Sequence, residues 1–154
     1  MSKYFSQILL GSLLTSCTLT EPKMGYTAEK SCAFIPVPQQ TVCPIQRESV
    51  LAVQQLQTAL DPKGNLETPT GVMIYVVASP GLTSEWLGHT IECYQARISE
   101  DKAIQAQDSC PLAEPGTTYS VTSTRNGYAV TIRTERGEAA KHIFDVSQRL
   151  VSSK

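Results

Sequence analysis

The sequence predicts an α+β fold: one small two-layer domain whose three-stranded sheet, containing a hairpin, is packed by about three helices. Three observations carry that expectation. Val72-Met73-Ile74-Tyr75-Val76-Val77 is apolar without alternation, as expected of a strand that lies centrally or is covered on both faces. Asn126-Gly127 sits between two runs of β-formers, a strong short-range hairpin signal. Three further stretches space their apolar residues three and four apart, the period of a helix with one buried face.

The N-terminus has a character of its own. Met1-Ser2-Lys3 is followed by the apolar run from Phe5 to Leu14, and Leu14-Thr15-Ser16-Cys17 closes it. A basic start, a short greasy middle and small residues before a cysteine make an export signal, and the apolar run is too short to span a bilayer. Leu14-Thr15-Ser16-Cys17 resembles the lipobox of bacterial lipoproteins, in which the cysteine is acylated and becomes the first mature residue. The resemblance covers residues 1–17 and nothing beyond them. It implies that 1–16 are a cleaved signal peptide and that Cys17 carries lipid in a bacterial cell envelope. With Thr18 rather than Asp after the cysteine, it leans towards the outer membrane facing the periplasm. A single acyl chain binds only marginally, at about 0.8 kcal/mol per buried methylene, so the two or three chains of such an anchor would hold the protein firmly.

Residues 17–30 read as the lipidated N-terminus and a flexible stalk, and 31–47 as a Pro-rich stapled loop. Pro22, Pro36, Pro38 and Pro44 exclude helix interiors and central strands there. Phe34, Ile35 and Val37 would be poor choices for a free linker, so the loop is expected to lie against the domain. The functional alternative is a partner-binding finger. Four cysteines remain besides Cys17, and an even number in an oxidising compartment reads first as disulfides among Cys32, Cys43, Cys93 and Cys110. Of the three connectivities, the local one is favoured: Cys32–Cys43 and Cys93–Cys110, each closure contributing roughly 3 kcal/mol.

Residues 48–154 form the α+β domain. Glu48 to Leu60 reads as a helix, with Val53, Leu56 and Leu60 on one face and Gln54, Gln55 and Gln57 opposite; Asp61-Pro62-Lys63-Gly64 stops it. A strand follows over Gly71–Ser79, ended by Pro80-Gly81. Ser84 to Ile98 reads as a helix capped by Thr83 or Ser84, with Leu87, Ile91, Tyr94 and Ile98 as its apolar stripe. Thr118–Thr124 and Tyr128–Thr134 make the hairpin, joined by a type I′ turn at Asn126-Gly127. A last helix runs from Glu138 to about Val151 with Ile143, Val146 and Leu150 inward.

Chemistry is sparsely signalled. The net charge of −1 offers no basic face for nucleic acid, and Arg125, Arg133, Arg136, Lys141 and Arg149 are interleaved with Glu135, Glu138 and Asp145 as a solvated surface. No Cys-x-x-Cys, Gly-x-Ser-x-Gly or His-Glu-x-x-His occurs, so no enzyme is expected. His89 and Cys93 are four apart on a helix, aligned on a partly exposed flank. With Cys110 they could ligate Zn²⁺ or Cu⁺, which is the alternative to a disulfide at those cysteines. Trp86 reads as a packing residue or surface anchor. The expected function is a lipid-anchored envelope module, held to the membrane by its N-terminal lipid, that binds an envelope protein without catalysis or cofactor. The alternative is a metal-binding lipoprotein using His89, Cys93 and Cys110.

Overall fold

The computed structural model describes residues 28–58, 68–101 and 109–151. The expected signal peptide, Cys17 and the stalk up to residue 27 lie outside the described residues. The elements are helix α1 (Ala28–Ser31), strands β1 (Val50–Gln57) and β2 (Pro69–Val77), helix α2 (Ser84–Glu100), strands β3 (Thr118–Thr124) and β4 (Gly127–Arg133), and helix α3 (Gly137–Val151). Single 3₁₀ turns occupy Val37–Gln39 and Arg47–Ser49. The fold is α+β as expected, but the antiparallel sheet has four strands, in the order β1-β2-β4-β3.

The extra strand is β1, where a helix over Glu48–Leu60 was expected. The expected stripe of Val53, Leu56 and Leu60 does not survive the register, which puts Val53 and Leu56 on opposite faces, and Leu60 lies outside the described residues. A β-bulge between Val50 and Ala52 inserts one residue, so Val50 opposes Val76 while Val53 opposes Ile74. Val50 and Val53, three apart, therefore point to the same side of the sheet, which is the spacing of a helical face. Leu56 falls on the other side, opposite Gly71.

One face of the sheet carries the core. Val72, Ile74 and Val76 of β2 oppose Ile132, Val130 and Tyr128 of β4 in that order, and Tyr119 and Val121 of β3 continue the layer. Leu87, Ile91, Tyr94 and Ile98 of α2 close it from one side and Ile143 and Leu150 of α3 from the other. Both helical stripes are those the sequence spacing predicts. Thr83 caps α2 as expected, its hydroxyl accepting the Trp86 N–H at 3.0 Å. The opposite sheet face, with Gln54, Met73, Tyr75, Thr131 and Thr122, carries no helix among the described residues.

The hairpin is present, but its turn is not type I′. No non-glycine residue has positive φ among the described residues, so Asn126 stays on the negative side; Gly127 takes φ +153° as the first residue of β4. A Cβ on Gly127 would overlap the carbonyl oxygen of Val76, so glycine is required by close approach of the backbones as well as by conformation. Gly127→Ala is therefore expected to lower unfolding free energy by about 2–4 kcal/mol in denaturant titration, with the fold retained by circular dichroism.

Tyr94 is fully buried and its hydroxyl has no hydrogen-bond partner among the described residues. Burial pushes its phenol pKa up. The folded state then holds that proton more tightly than the unfolded chain. Stability is fully present below the ordinary phenol value of about 10 and lost as pH rises through the raised value. Tyr119 shifts the same way, through burial first and the charge of Glu92 second. Tyr94→Phe should raise stability by about 1 kcal/mol at neutral pH and flatten the loss above about pH 10. A clear loss at neutral pH would mean that the hydroxyl has a partner.

Candidate binding groove

The N-terminal segment runs antiparallel to α2 along the side that faces away from the sheet. Ala28 donates its N–H to Glu100 Oε1 at 2.8 Å, at the C-terminal end of α2. Cys32 bonds to Cys93, two helical turns back from Glu100, with Cα atoms 4.8 Å apart. Ala28, Cys32, Ile35 and Cys93 form a second small apolar cluster, with Ala96 against it. Ala28, within the expected stalk, is thus packed while Glu29 and Lys30 stay exposed, and α2 lies between the sheet and this segment.

All four cysteines are in disulfides, as expected, but the pairing is not the local one. Cys32 joins Cys93, and Cys43 joins Cys110 with Cα atoms 5.7 Å apart. The closures span 61 and 67 residues and interleave, so each fastens the N-terminal segment to a distant part of the domain. The local pairing fails because Cys32 and Cys43 point to two different targets, the outer face of α2 and the loop before β3.

A buried amide fixes the loop between them. Gln40 is 7% exposed. Its Nε2 donates to the carbonyl of Ile35 at 2.8 Å, while its Oε1 accepts from Arg97 Nε at 3.0 Å and Nη2 at 2.6 Å. Arg97 also faces Glu100 Oε2 at 3.5 Å, and Glu100 holds Ala28. A charged donor on a buried amide is stronger than a neutral pair, so the loop conformation is well determined.

Between this loop and the first half of α2 lies a groove of about 390 Å³. Phe34, Ile35 and Trp86 supply its apolar wall, and Lys30, Glu85, His89 and Glu92 its rim. Phe34 is 87% and Trp86 37% exposed. Both are where the Cys32–Cys93 bridge puts them. Phe34 follows Cys32 by two residues, and Trp86 precedes Cys93 by seven, two helical turns on the same face. The surface was missed in the sequence because it exists only through that pairing. Such an arrangement can seat an apolar side chain and hydrogen-bond its surroundings.

His89 is exposed on this rim, its Nδ1 3.7 Å from Glu92 Oε2. Cys93 is fully buried rather than partly exposed, because the N-terminal segment covers that flank of α2. His89, Cys93 and Cys110 do not come together: each sulfur is bonded to a different cysteine of the N-terminal segment. No group of three or more metal-ligating side chains occurs among the described residues. His142, on α3, lies elsewhere, with Nδ1 3.1 Å from Glu114 Oε2; Arg136 Nη2 holds the other oxygen of that carboxylate at 2.9 Å. This pairing fastens the loop before β3 to α3. Ser31 Oγ, at the groove wall, has no hydrogen-bond partner among the described residues, so none of them activates it as a nucleophile.

No family model, curated protein or solved structure matches this chain.

Non-reducing digestion with a protease that cuts after Phe34 separates Cys32 from Cys43, and should yield the Cys32–Cys93 and Cys43–Cys110 linked peptides. Cys93→Ser should cost about 4 kcal/mol, the chain-entropy value for a closure of this length, read from the melting transition without reductant. A Cys32–Cys43 linked product would overturn the connectivity.

Proposed function

We propose that this chain is a lipid-anchored cell-envelope protein acting as a non-catalytic binding or assembly module, with the groove between Phe34 and Trp86 as the seat for an envelope protein. The observation that carries the reading is the groove itself: an apolar wall with a polar rim, whose two sides are joined covalently by Cys32–Cys93. Exposed aromatic side chains in such a setting are the residue types that dominate binding surfaces. A preformed site also avoids the cost of ordering a loop on association.

The anchor completes the reading. Leu14-Thr15-Ser16-Cys17 supports acylation at Cys17, and Thr18 favours the outer membrane facing the periplasm. Interleaved disulfides suit an oxidising compartment. Tethering holds the groove at high local concentration near membrane partners, so a modest intrinsic affinity suffices.

Cys17→Ala should abolish membrane fractionation; a variant that still pellets after high-salt washing would remove the anchor from the reading. In exported protein, a photo-crosslinking residue at His89 should give a discrete protein adduct, whereas one at Thr122, on the helix-free sheet face, should not. Equal yields at the two positions would discard the groove as the binding site.

A further inference from the structure

Trp86 is a partition between two hollows. One is the groove of about 390 Å³ already described; the other, of about 590 Å³, lies against Pro44, Val77, Pro80 and Leu82. Trp86 lines both and is exposed, so an indole stands between two mainly apolar walls.

The charges around it are mostly of one sign. Glu85 and Glu92 line the first hollow together with Lys30, and Glu48 is the only charged residue among those lining the second. Glu85 and Glu92 are two turns of α2 apart, so they share a flank at a spacing of about 10 Å along the helix. Glu48 and Glu85 have no hydrogen bond or ion pair among the described residues, while Glu92 has the His89 ring at 3.7 Å. α1 and α2 together repeat the excess: Glu29, Glu85, Glu92 and Glu100 against Lys30 and Arg97. Arg97 is already held by Gln40 and Glu100.

The start of α2 does not reverse the sign. A helix N-terminus attracts anions, but Thr83 Oγ1 already accepts the Trp86 N–H and Glu85 brings negative charge to the first turn. An anion would meet carboxylates on both sides of Trp86. A neutral apolar side chain would use the walls and leave those carboxylates without a partner. Arginine uses everything present: its guanidinium stacks on an indole, its paired N–H groups fit a carboxylate, and its methylenes lie on apolar surface.

We propose that the segment of the partner protein that docks here is basic, with an arginine stacked on Trp86 and its guanidinium held by Glu85. Glu48 and Glu92 attract the residues on either side of it. This rests on the groove being the seat of an envelope protein, and it adds what that protein presents.

Trp86 is the sole tryptophan, so its emission reads the site directly. The acylated chain in a nonionic detergent is titrated with a capped pentapeptide that has arginine at its centre between leucines. A second peptide carries citrulline there, which keeps the shape of arginine without its charge. The arginine peptide should change the emission saturably and bind about tenfold more tightly at low salt, a gap that narrows at high salt. Glu85→Gln, an exposed change whose fold is checked by circular dichroism, should bring the arginine peptide to the citrulline value. Glu135→Gln removes the same charge away from both hollows and should change nothing. Equal affinity for the two peptides, an emission that neither changes, or an equal loss in Glu135→Gln would each overturn the inference. The seat itself is judged separately, by the adduct at His89. An adduct with equal peptide affinities would keep the groove and discard the basic partner; no adduct would remove both.

Discussion

The Cys32–Cys93 bridge is the constraint on which the arrangement of the N-terminal segment depends. Cys93 sits on the face of α2 opposite the Leu87/Ile91/Tyr94/Ile98 stripe, where an amphipathic helix on a two-layer domain ordinarily meets water. The bridge covers that face with Ala28, Cys32 and Ile35, a cluster too slight to hold a segment by burial alone. With the bond in place, packing need only select one conformation of a chain already nearby. Gln40, Arg97 and Glu100 make that selection through a short polar network.

The second bridge acts at the other end of the same segment. Cys43–Cys110 attaches it to a loop that is itself well buried: Pro111, Leu112 and Ala113 belong to the interior, and Glu114 is gripped by Arg136 and His142. The segment is thus stretched between α2 and the approach to β3. Closures of 61 and 67 residues shrink the unfolded ensemble more than two short local loops would, by about 1 kcal/mol each on the chain-entropy account. The same geometry explains why Phe34 and Val37 stay exposed. A segment fixed at Cys32, Ile35, Gln40 and Cys43 has its intervening side chains assigned to one side or the other, and these two are assigned outward.

A rigid apolar wall beside a polar rim, fixed on the α2 side of the sheet, gives this domain a direction. The opposite sheet face is mixed, with Thr118, Ser120, Thr122 and Thr131 on β3 and β4 and Leu56, Met73, Tyr75 and Val77 on β1 and β2. The structural asymmetry therefore lies between the α2 side, with its stapled segment, and the other side of the sheet, which carries no helix among the described residues.

Local periodicity was enough for the elements whose neighbours lie close in sequence. The α2 and α3 stripes, the Thr83 cap, the apolar run of β2 and the pairing of β3 with β4 all follow from spacings within a single element or hairpin, and the structure keeps them. So was the participation of all four cysteines in bridges, which counting alone implied. What the tertiary structure alone decided needed information about distant partners. β1 looked helical because Val53, Leu56 and Leu60 keep a helical spacing; only the register with β2 shows that Val53 and Leu56 lie on opposite faces of a sheet. The turn residues are Arg125 and Asn126 because Gly127 pairs with Thr124 and Val77 as the first residue of β4. The disulfide pairing, and with it the groove of Phe34 and Trp86, depends on an otherwise irregular segment lying along the outside of α2. No period in residues 28–47 encodes that path, since it is set by contacts more than fifty residues away.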